Sequence, residues 1–297
     1  MARASAHARA ALAGNPSDGY GGATLAVTVR DFVAEVEVAP AREPSVTPES
    51  TLVRATVARF ERELGGDGAA AAIRLHTSIP RAVGLGGSSA IVIATVRALC
   101  ALHDVSLHPD ALATFALAVE TEDLGIAAGL QDRVAQAYGG LTFMDFQAGV
   151  YERLDPGLLP PLFIAWNAQA AGHSGVIHGD LRARFEGGDP VVLAAISELA
   201  GHARDARAAL LAGDTGAFAR SMDGSFDARA RMLALDDRHV AMIELARELG
   251  ASANYTGSGG AIVGCCRSEA ERADVIAALE RAGHRAIAPE PAASHSR

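Results

Sequence analysis

An α+β fold in two domains is the architecture this sequence predicts, and three observations carry the prediction. Strand-like segments cluster in the first half and long helical ones in the second, without the regular alternation of a doubly wound parallel sheet. A glycine-rich stretch, Ile79-Pro80-Arg81-Ala82-Val83-Gly84-Leu85-Gly86-Gly87-Ser88-Ser89-Ala90, runs into an apolar segment that continues to Leu102 with only Thr95 and Arg97 as polar breaks. Proline density rises at residues 156–161, which places the junction between a domain of residues 1–158 and one of residues 159–297. At 297 residues the chain is long enough for both.

Taken in order, residues 8–13 read as a short strand, and residues 14–22 as a polar loop built on the turn sequence Asn15-Pro16-Ser17-Asp18-Gly19. Residues 23–29 and 32–38 are β-branched with partial alternation and read as two strands. A loop at 40–48 precedes a helix over 49–64, with Leu52, Val53, Val57 and Phe60 on its apolar face. Residues 71–77 form a strand that leads through Pro80 into the glycine-rich loop and its buried helix. A helix over 107–122, a glycine-rich break at 125–131, a helix over 132–138 and a strand over 141–146 complete this half.

The second half opens with a strand at 162–166 and a polar loop at 172–179. Three helices follow near 189–211, 215–235 and 237–249. A second glycine-rich loop at 254–260 leads to a strand at 261–266, a helix at 268–282 and a last strand at 284–288. The remaining Pro-, Ala- and Ser-rich tail is expected to be disordered.

Composition narrows the function classes. A formal net charge of −9 argues against nucleic acid as the main partner, because phosphate backbones demand a basic face. The chain contains no lysine, so every permanent positive charge is an arginine. That removes the phosphate loop ending in Lys-Ser/Thr, whose lysine is integral to its contact. Three cysteines, Cys100, Cys265 and Cys266, show neither metal-ligand spacing nor a disulfide framework. The Ala- and Arg-rich start lacks an apolar core of signal-peptide length, and no segment reads as a membrane span, so the expected location is cytoplasmic.

Three polar loops far apart in sequence, at 15–20, 84–89 and 257–260, suggest one site built from several loops. Glycines allow close backbone approach, and the first amides of a helix have no internal partner, so the loop at 84–89 can cradle an anion. A tight turn before a core helix reads the same way. The carboxylates of interest are Glu120, Glu122, Asp123, Asp132 and Asp145. Glu120, Glu122 and Asp123 can equally be a solvated helix end, and Asp132 an N-cap. The apolar, glycine-rich segment 125–131 between them reads as the lining of a pocket.

These residues resemble the GHMP kinase superfamily, and within it the plant-type glucuronokinases. The family's phosphate loop, Pro-x-Gly-x-Gly-Leu-Gly-Ser-Ser-Ala, is similar to residues 80–90. Its first motif is similar to Arg9-Ala10-Ala11-Leu12-Ala13-Gly14-Asn15-Pro16-Ser17-Asp18, with Asn15-Pro16 where galactokinases carry Glu-His. The stretch from Glu120 through Gly125-Ile126-Ala127-Ala128-Gly129-Leu130-Gln131-Asp132 resembles the galactokinase segment holding two acids at the same twelve-residue spacing. Thr256-Gly257-Ser258-Gly259-Gly260 resembles the third glycine-rich motif, and His173-Ser174-Gly175-Val176-Ile177-His178 with Arg182 a glucuronokinase segment.

The resemblance implies a ribosomal-protein-S5-like N-terminal domain with a left-handed βαβ unit, a ferredoxin-like C-terminal domain and an active site between them. It implies ATP and Mg²⁺ as cofactors and a sugar or uronic acid as substrate. Gly84, Leu85, Gly86, Gly87, Ser88 and Ser89 would hold the triphosphate, with Ser88 and Glu120 on the metal. Asp132 would be the catalytic carboxylate and Arg9 a stabiliser of the transferring group. Asn15, Ser17, Asp18, Thr256, Gly257, Ser258 and Gly259 would meet the substrate, with Arg133 or Arg182 taking a uronate carboxylate. The expected reaction is phosphorylation of the anomeric hydroxyl of D-glucuronate by a monomer or homodimer. Galactose, arabinose, heptose or mevalonate-pathway kinases, and a catalytically silent sugar- and ATP-binding regulator, are the rival readings.

Overall fold

The computed structural model describes residues 1–65, 70–167 and 174–294, and for residues 174–179 the backbone alone. β1 (Ala2–Ala13) pairs antiparallel with β2 (Ala23–Pro40) along nearly its whole length, from Ala2 opposite Val38 to Ala13 opposite Leu25. β3 (Ser45–Thr47), α1 (Thr51–Leu64) and β4 (Ala71–Thr77) form a unit whose two strands run parallel. β4 pairs with residues 34–40 of β2. The glycine-rich loop feeds α2 (Gly87–His103), followed by α3 (Pro109–Ala118), a π turn (Val119–Asp123) and α4 (Gln131–Tyr138). β5 (Leu141–Asp145) then pairs with residues 23–27 of β2, and β6 (Val150–Leu154) lies beside β5. Thus β2 is the spine of a six-stranded sheet, with β1 on one edge and β4 and β5 sharing the other.

The second sheet holds β7 (Leu162–Trp166). After it come α5 (Ser174–Glu186), α6 (Pro190–Ala212), α7 (Thr215–Met232) and α8 (Asp237–Glu248). β8 (Ser252–Tyr255), β9 (Ala261–Cys265), α9 (Glu269–Arg281) and β10 (Arg285–Ile287) complete an antiparallel sheet in the order β10-β7-β9-β8. Helix boundaries follow local chemistry. Asp189 caps α6 by accepting from the Val191 and Val192 amides, Pro190 fills a first-turn position, and left-handed Gly213 ends the helix. α6 packs on β1 and β2 of the other sheet. The buried Ala200, Ala203, Ala206 and Ala209 recur every three residues and let its backbone approach closely. From Ala8 onward β1 is buried on both faces, between α2 and the helices of the second half, which is why it reads as a run of alanines.

Several expectations are corrected. The two strands expected at 23–29 and 32–38 are the single strand β2, which runs on through exposed Arg30 and Asp31 although residues 30–32 bulge out of the pairing with β1, Val29 standing opposite Ala8 and Val33 opposite His7. β1 starts six residues before the expected strand, where Ala4 and Ala6 alternate with Arg3, Ser5 and His7. The helix expected over 107–122 is shorter, since it widens into the π turn after Ala118. In the polar loop expected at 172–179, residues 172 and 173 lie outside the described residues, and Ser174 already begins α5. β3, β6 and β8 were not anticipated. Among the described residues, no helix is long and apolar enough to cross a membrane.

The tail expected to be disordered is bound to the first sheet as far as it is described. The Arg30 amide donates to Glu290 O and the Ala292 amide to Thr28 O, each at 2.8 Å, and the Glu290 amide donates to Asp31 Oδ2 at 2.8 Å. Ala292 is buried, and Ser294 forms a β-bridge with Gly139. Truncation after residue 288 therefore removes three intramolecular hydrogen bonds and two buried side chains, Pro289 and Ala292. At about 1 kcal/mol each, the lost hydrogen bonds lower stability by roughly 2–4 kcal/mol. Thermal unfolding followed by circular dichroism should show the melting temperature falling by several degrees.

Candidate active site

The glycine-rich loop enters α2 through Gly86, whose φ of 70° makes it a left-handed N-cap. The Ala90 amide donates to Gly86 O at 3.1 Å, so the amides of residues 87–89 precede the first intrahelical bond and are presented at the positive end of the helix dipole. The two serines divide their work. Buried Ser89 donates its hydroxyl to Gly86 O at 3.1 Å and closes the loop on itself. Exposed Ser88 donates to Glu120 Oε1 at 2.6 Å.

Arg9, on β1 and 3% exposed, ties this loop to the rest of the site. Its amide donates to Leu85 O at 3.1 Å, and its Nη1 donates to Gly84 O at 2.7 Å and to Thr256 O. Its Nε donates to Asp132 Oδ1 at 2.6 Å. Three segments from distant parts of the chain thus meet on one guanidinium. The glycines explain how they approach so closely: a Cβ on Gly257 would stand 2.6 Å from Gly84 O and under 3 Å from both terminal nitrogens of Arg9. Thr256 reinforces the junction by donating its hydroxyl to Gly84 O at 2.9 Å.

Glu120 has no exposed surface and sits in the π turn, a local widening that is common at functional sites. Arg133 Nε donates to its Oε2 at 2.8 Å and Nη2 to the same oxygen, while Nη1 donates to Gly129 O at 2.8 Å. Arg133 Nη1 also lies 3.7 Å from Asp132 Oδ2, so one guanidinium bridges the two acids. Ser88 Oγ and Glu120 Oε1 are adjacent hard oxygens, a donor pair suited to Mg²⁺, which takes only one or two protein groups. Among the described residues no group of three His, Cys, Asp or Glu side chains is assembled to hold a metal, which disfavours a caged site.

On the other side of Asp132, Asp18 Oδ2 accepts the Gln131 amide at 3.3 Å. Burial, and next the Asp132 charge, push the Asp18 carboxyl above the usual carboxylate range. Gly129 leaves room for it, since a Cβ there would fall 2.2 Å from Asp18 Oδ2. Asn15 donates its amide to Gln131 Oε1 at 3.3 Å and accepts from Arg229 Nη1 at 2.9 Å.

Other expected residues have different surroundings from those the resemblance implies. Ser17 is fully buried, with its hydroxyl donated to Ala23 O at 2.9 Å. Arg182 is exposed, bonded to Gly19 O and stacked over Tyr20. Arg133 is committed to Glu120. Ser258 and Gly259 back the glycine-rich loop, where a Cβ on Gly84 would meet both at 3.0–3.2 Å. Glu122 and Asp123 pair with Arg59 and Asp145 pairs with Arg204, all outside the cluster. In the segment 125–131 residues 125–127 are exposed, with Ile126 40% exposed, residues 128–130 are half-buried and Gln131 is buried. Sequence reasoning missed Gln131, Gln136 and Arg229. Gln136 donates to His7 O at 2.9 Å and Gly86 O at 2.8 Å, and its spacing of one helical turn from Asp132 was the available signal.

The chain matches the family model "GHMP kinases N terminal domain" over residues 51–140 and "GHMP kinases C terminal" over residues 206–285. It is 36% identical to Glucuronokinase 1 of Arabidopsis thaliana, with 87% of this chain and 83% of that protein covered. It is 34% identical to Probable glucuronokinase 2 of the same plant over 87% of this chain and 82% of that protein. The solved galactokinase of Lactococcus lactis with galactose superimposes at a TM-score of 0.86, covering 100% of this chain and 95% of that one, at 13% identity, a likeness of fold alone.

Two measurements check this geometry. Gly257→Ala should push the third glycine-rich segment off Gly84 O and Arg9, lowering turnover about 100-fold with a smaller change in melting temperature, because a displacement of about 1 Å is costly at a reacting centre. Asp18→Asn tests the raised carboxyl. The folded state holds this proton more tightly than the unfolded chain, so the group costs nothing well below the ordinary aspartate value of about 3.9 and destabilises increasingly as pH rises through it. The variant should therefore melt higher than wild type at pH 7, with the gain shrinking toward pH 3.5.

Proposed function

The chain belongs to the GHMP kinases, a family of phosphotransferases with alcohol acceptors, and from that membership we propose that it phosphorylates the anomeric hydroxyl of D-glucuronate with ATP, giving glucuronate 1-phosphate. The observation that carries this reading is the glucuronokinase likeness over most of the chain, together with Asn15-Pro16 in place of the galactokinase Glu-His. In the same reading the two domains divide at residues 158 and 159, and the enzyme acts in the cytoplasm as a monomer or homodimer on a small-molecule substrate.

Phosphoryl transfer asks for charge neutralisation on the phosphates and an acceptor hydroxyl held in line. The amides of Gly87, Ser88 and Ser89 and the N-terminus of α2 supply the first without a lysine. Ser88 and Glu120 would hold Mg²⁺, which neutralises phosphate charge when bound. Asp132 takes the proton of the acceptor hydroxyl or orients it, and Arg9 Nε, 2.6 Å away, fixes the direction of that carboxylate. Asn15 and Asp18 face the same space beside Gln131 and hydrogen-bond sugar hydroxyls.

An ATP-consumption screen over free sugars, uronic acids and mevalonate-pathway alcohols, with the product read by phosphorus NMR, tests the substrate. D-glucuronate should give the highest kcat/KM and an anomeric phosphate resonance; preference for another acceptor replaces the assignment. Asp132→Asn should lower kcat by about 10³-fold with nucleotide binding retained. Ser88→Ala should raise the KM for Mg·ATP more than that for the sugar.

A further inference from the structure

Arg229, on α7, is 2% exposed, yet among the described residues no carboxylate lies within ion-pair distance of it. Three other buried arginines have one, Arg9 with Asp132, Arg133 with Glu120 and Arg59 with Asp123, while half-buried Arg97 is met by the carbonyls of Ser5, Gln136 and Ala137. Arg229 instead donates Nη1 to the neutral Asn15 Oδ1 at 2.9 Å and lies over the Tyr255 ring at 5.1 Å. Its Nε is buried with no acceptor. Burial pulls this group down to about 10, the direction expected of an uncompensated cation. Holding a charge this way is costly, and the cost is recovered when an anion arrives.

The position ties Arg229 to the chemistry. Asn15, its partner, donates to Gln131 Oε1 at 3.3 Å, and Gln131 Nε2 lies 3.5 Å from Asp132 Oδ1. One helical turn before Arg229, Ser225 accepts the Gly14 amide at 2.9 Å, so this face of α7 is held against the loop that carries Asn15. The two arginines first considered for a substrate carboxylate are otherwise placed: Arg133 on Glu120 and Arg182 at the surface. We propose that Arg229 receives the carboxylate of the acceptor and so selects a sugar acid over the corresponding neutral aldose. A guanidinium suits this role because it binds a carboxylate through two parallel hydrogen bonds. The proposal rests on the sugar-kinase reading above.

The test measures kcat/KM for D-glucuronate and D-glucose, with melting temperatures, in wild type, Arg229→Met, Arg229→Lys and Asn15→Asp. In Arg229→Met the acid-to-aldose ratio should fall about 100-fold, through the KM for the acid and not the KM for ATP, and Arg229→Lys should recover part of it. Asn15→Asp places a carboxylate beside the intact arginine. It should raise the melting temperature and lower the ratio, since the cation is then already paired. This variant decides the matter if Arg229→Met does not fold. A wild type that turns over glucuronate, with variants of unchanged ratio, overturns the role of Arg229 and leaves the kinase reading standing. A wild type with no preference for glucuronate over glucose overturns both the role of Arg229 and the assignment of glucuronate as substrate.

Discussion

The buried guanidinium of Arg9 is the interaction on which the site depends. Its hydrogen bonds fix the glycine-rich loop, the segment at Thr256 and the carboxylate of Asp132 relative to β1. The residues it joins are up to 247 positions apart, so no local propensity could hold them together. A planar guanidinium donates in several fixed directions at once and remains charged in a dry environment, which a lysine ammonium does less well. In a chain without lysine this is a structural solution as well as an electrostatic one. It also explains the glycines at 84 and 257, because backbone carbonyls can crowd one side chain only where no Cβ intervenes.

Around Arg9 the charges are placed in pairs. Arg9 faces Asp132, Arg133 faces Glu120, and Asp18 stands close enough to Asp132 to raise its own carboxyl. Buried pairs of this kind return little net stability once desolvation is counted, and apolar replacements often fold as well. Their value here is positional. Each guanidinium fixes the direction of the carboxylate it holds: Arg9 takes Asp132 Oδ1 and Arg133 takes Glu120 Oε2.

Much of the fold was legible because its elements obey local rules. β4 and β7 fall where the sequence places them, and the Asp189-Pro190 start and Gly213 stop of α6 carry their own signals. β3 is three residues long, and β6 follows a tight turn with only Leu154 buried, so neither leaves a hydrophobic pattern to read. The tail was misread for a related reason: its order comes from backbone bonds to β2, and composition says nothing of those. At the site, the types of residue were legible and their pairings were not. Arg133 was read as a substrate ligand because an arginine next to Asp132 is all that sequence shows; that it turns to Glu120 depends on the helix both occupy. Arg229 had no signal at all, being one of several arginines on a long helix.

The short helix α4 shows how eight residues convert a linear order into this three-dimensional arrangement. Successive side chains on a helix diverge by about 100°, whereas those four apart share a face. Asp132 and Gln136, four apart, turn together toward β1 and the glycine-rich loop, one to Arg9 and the other to His7 O and Gly86 O. Arg133, one step on, reaches Glu120 in the π turn, and Gln131, one step back, reaches Asn15. The carboxylate held by Arg9, the guanidinium that holds Glu120 and the link toward α7 therefore come from three consecutive residues. A one-residue change in the length of segment 125–130 would rotate all three off their partners at once, whereas the first sheet could absorb it at a bulge, as the pairing of β1 with β2 already does at two places. Precision in this site is set by the phase of one helix, and the surrounding sheet supplies the fixed frame against which that phase has meaning.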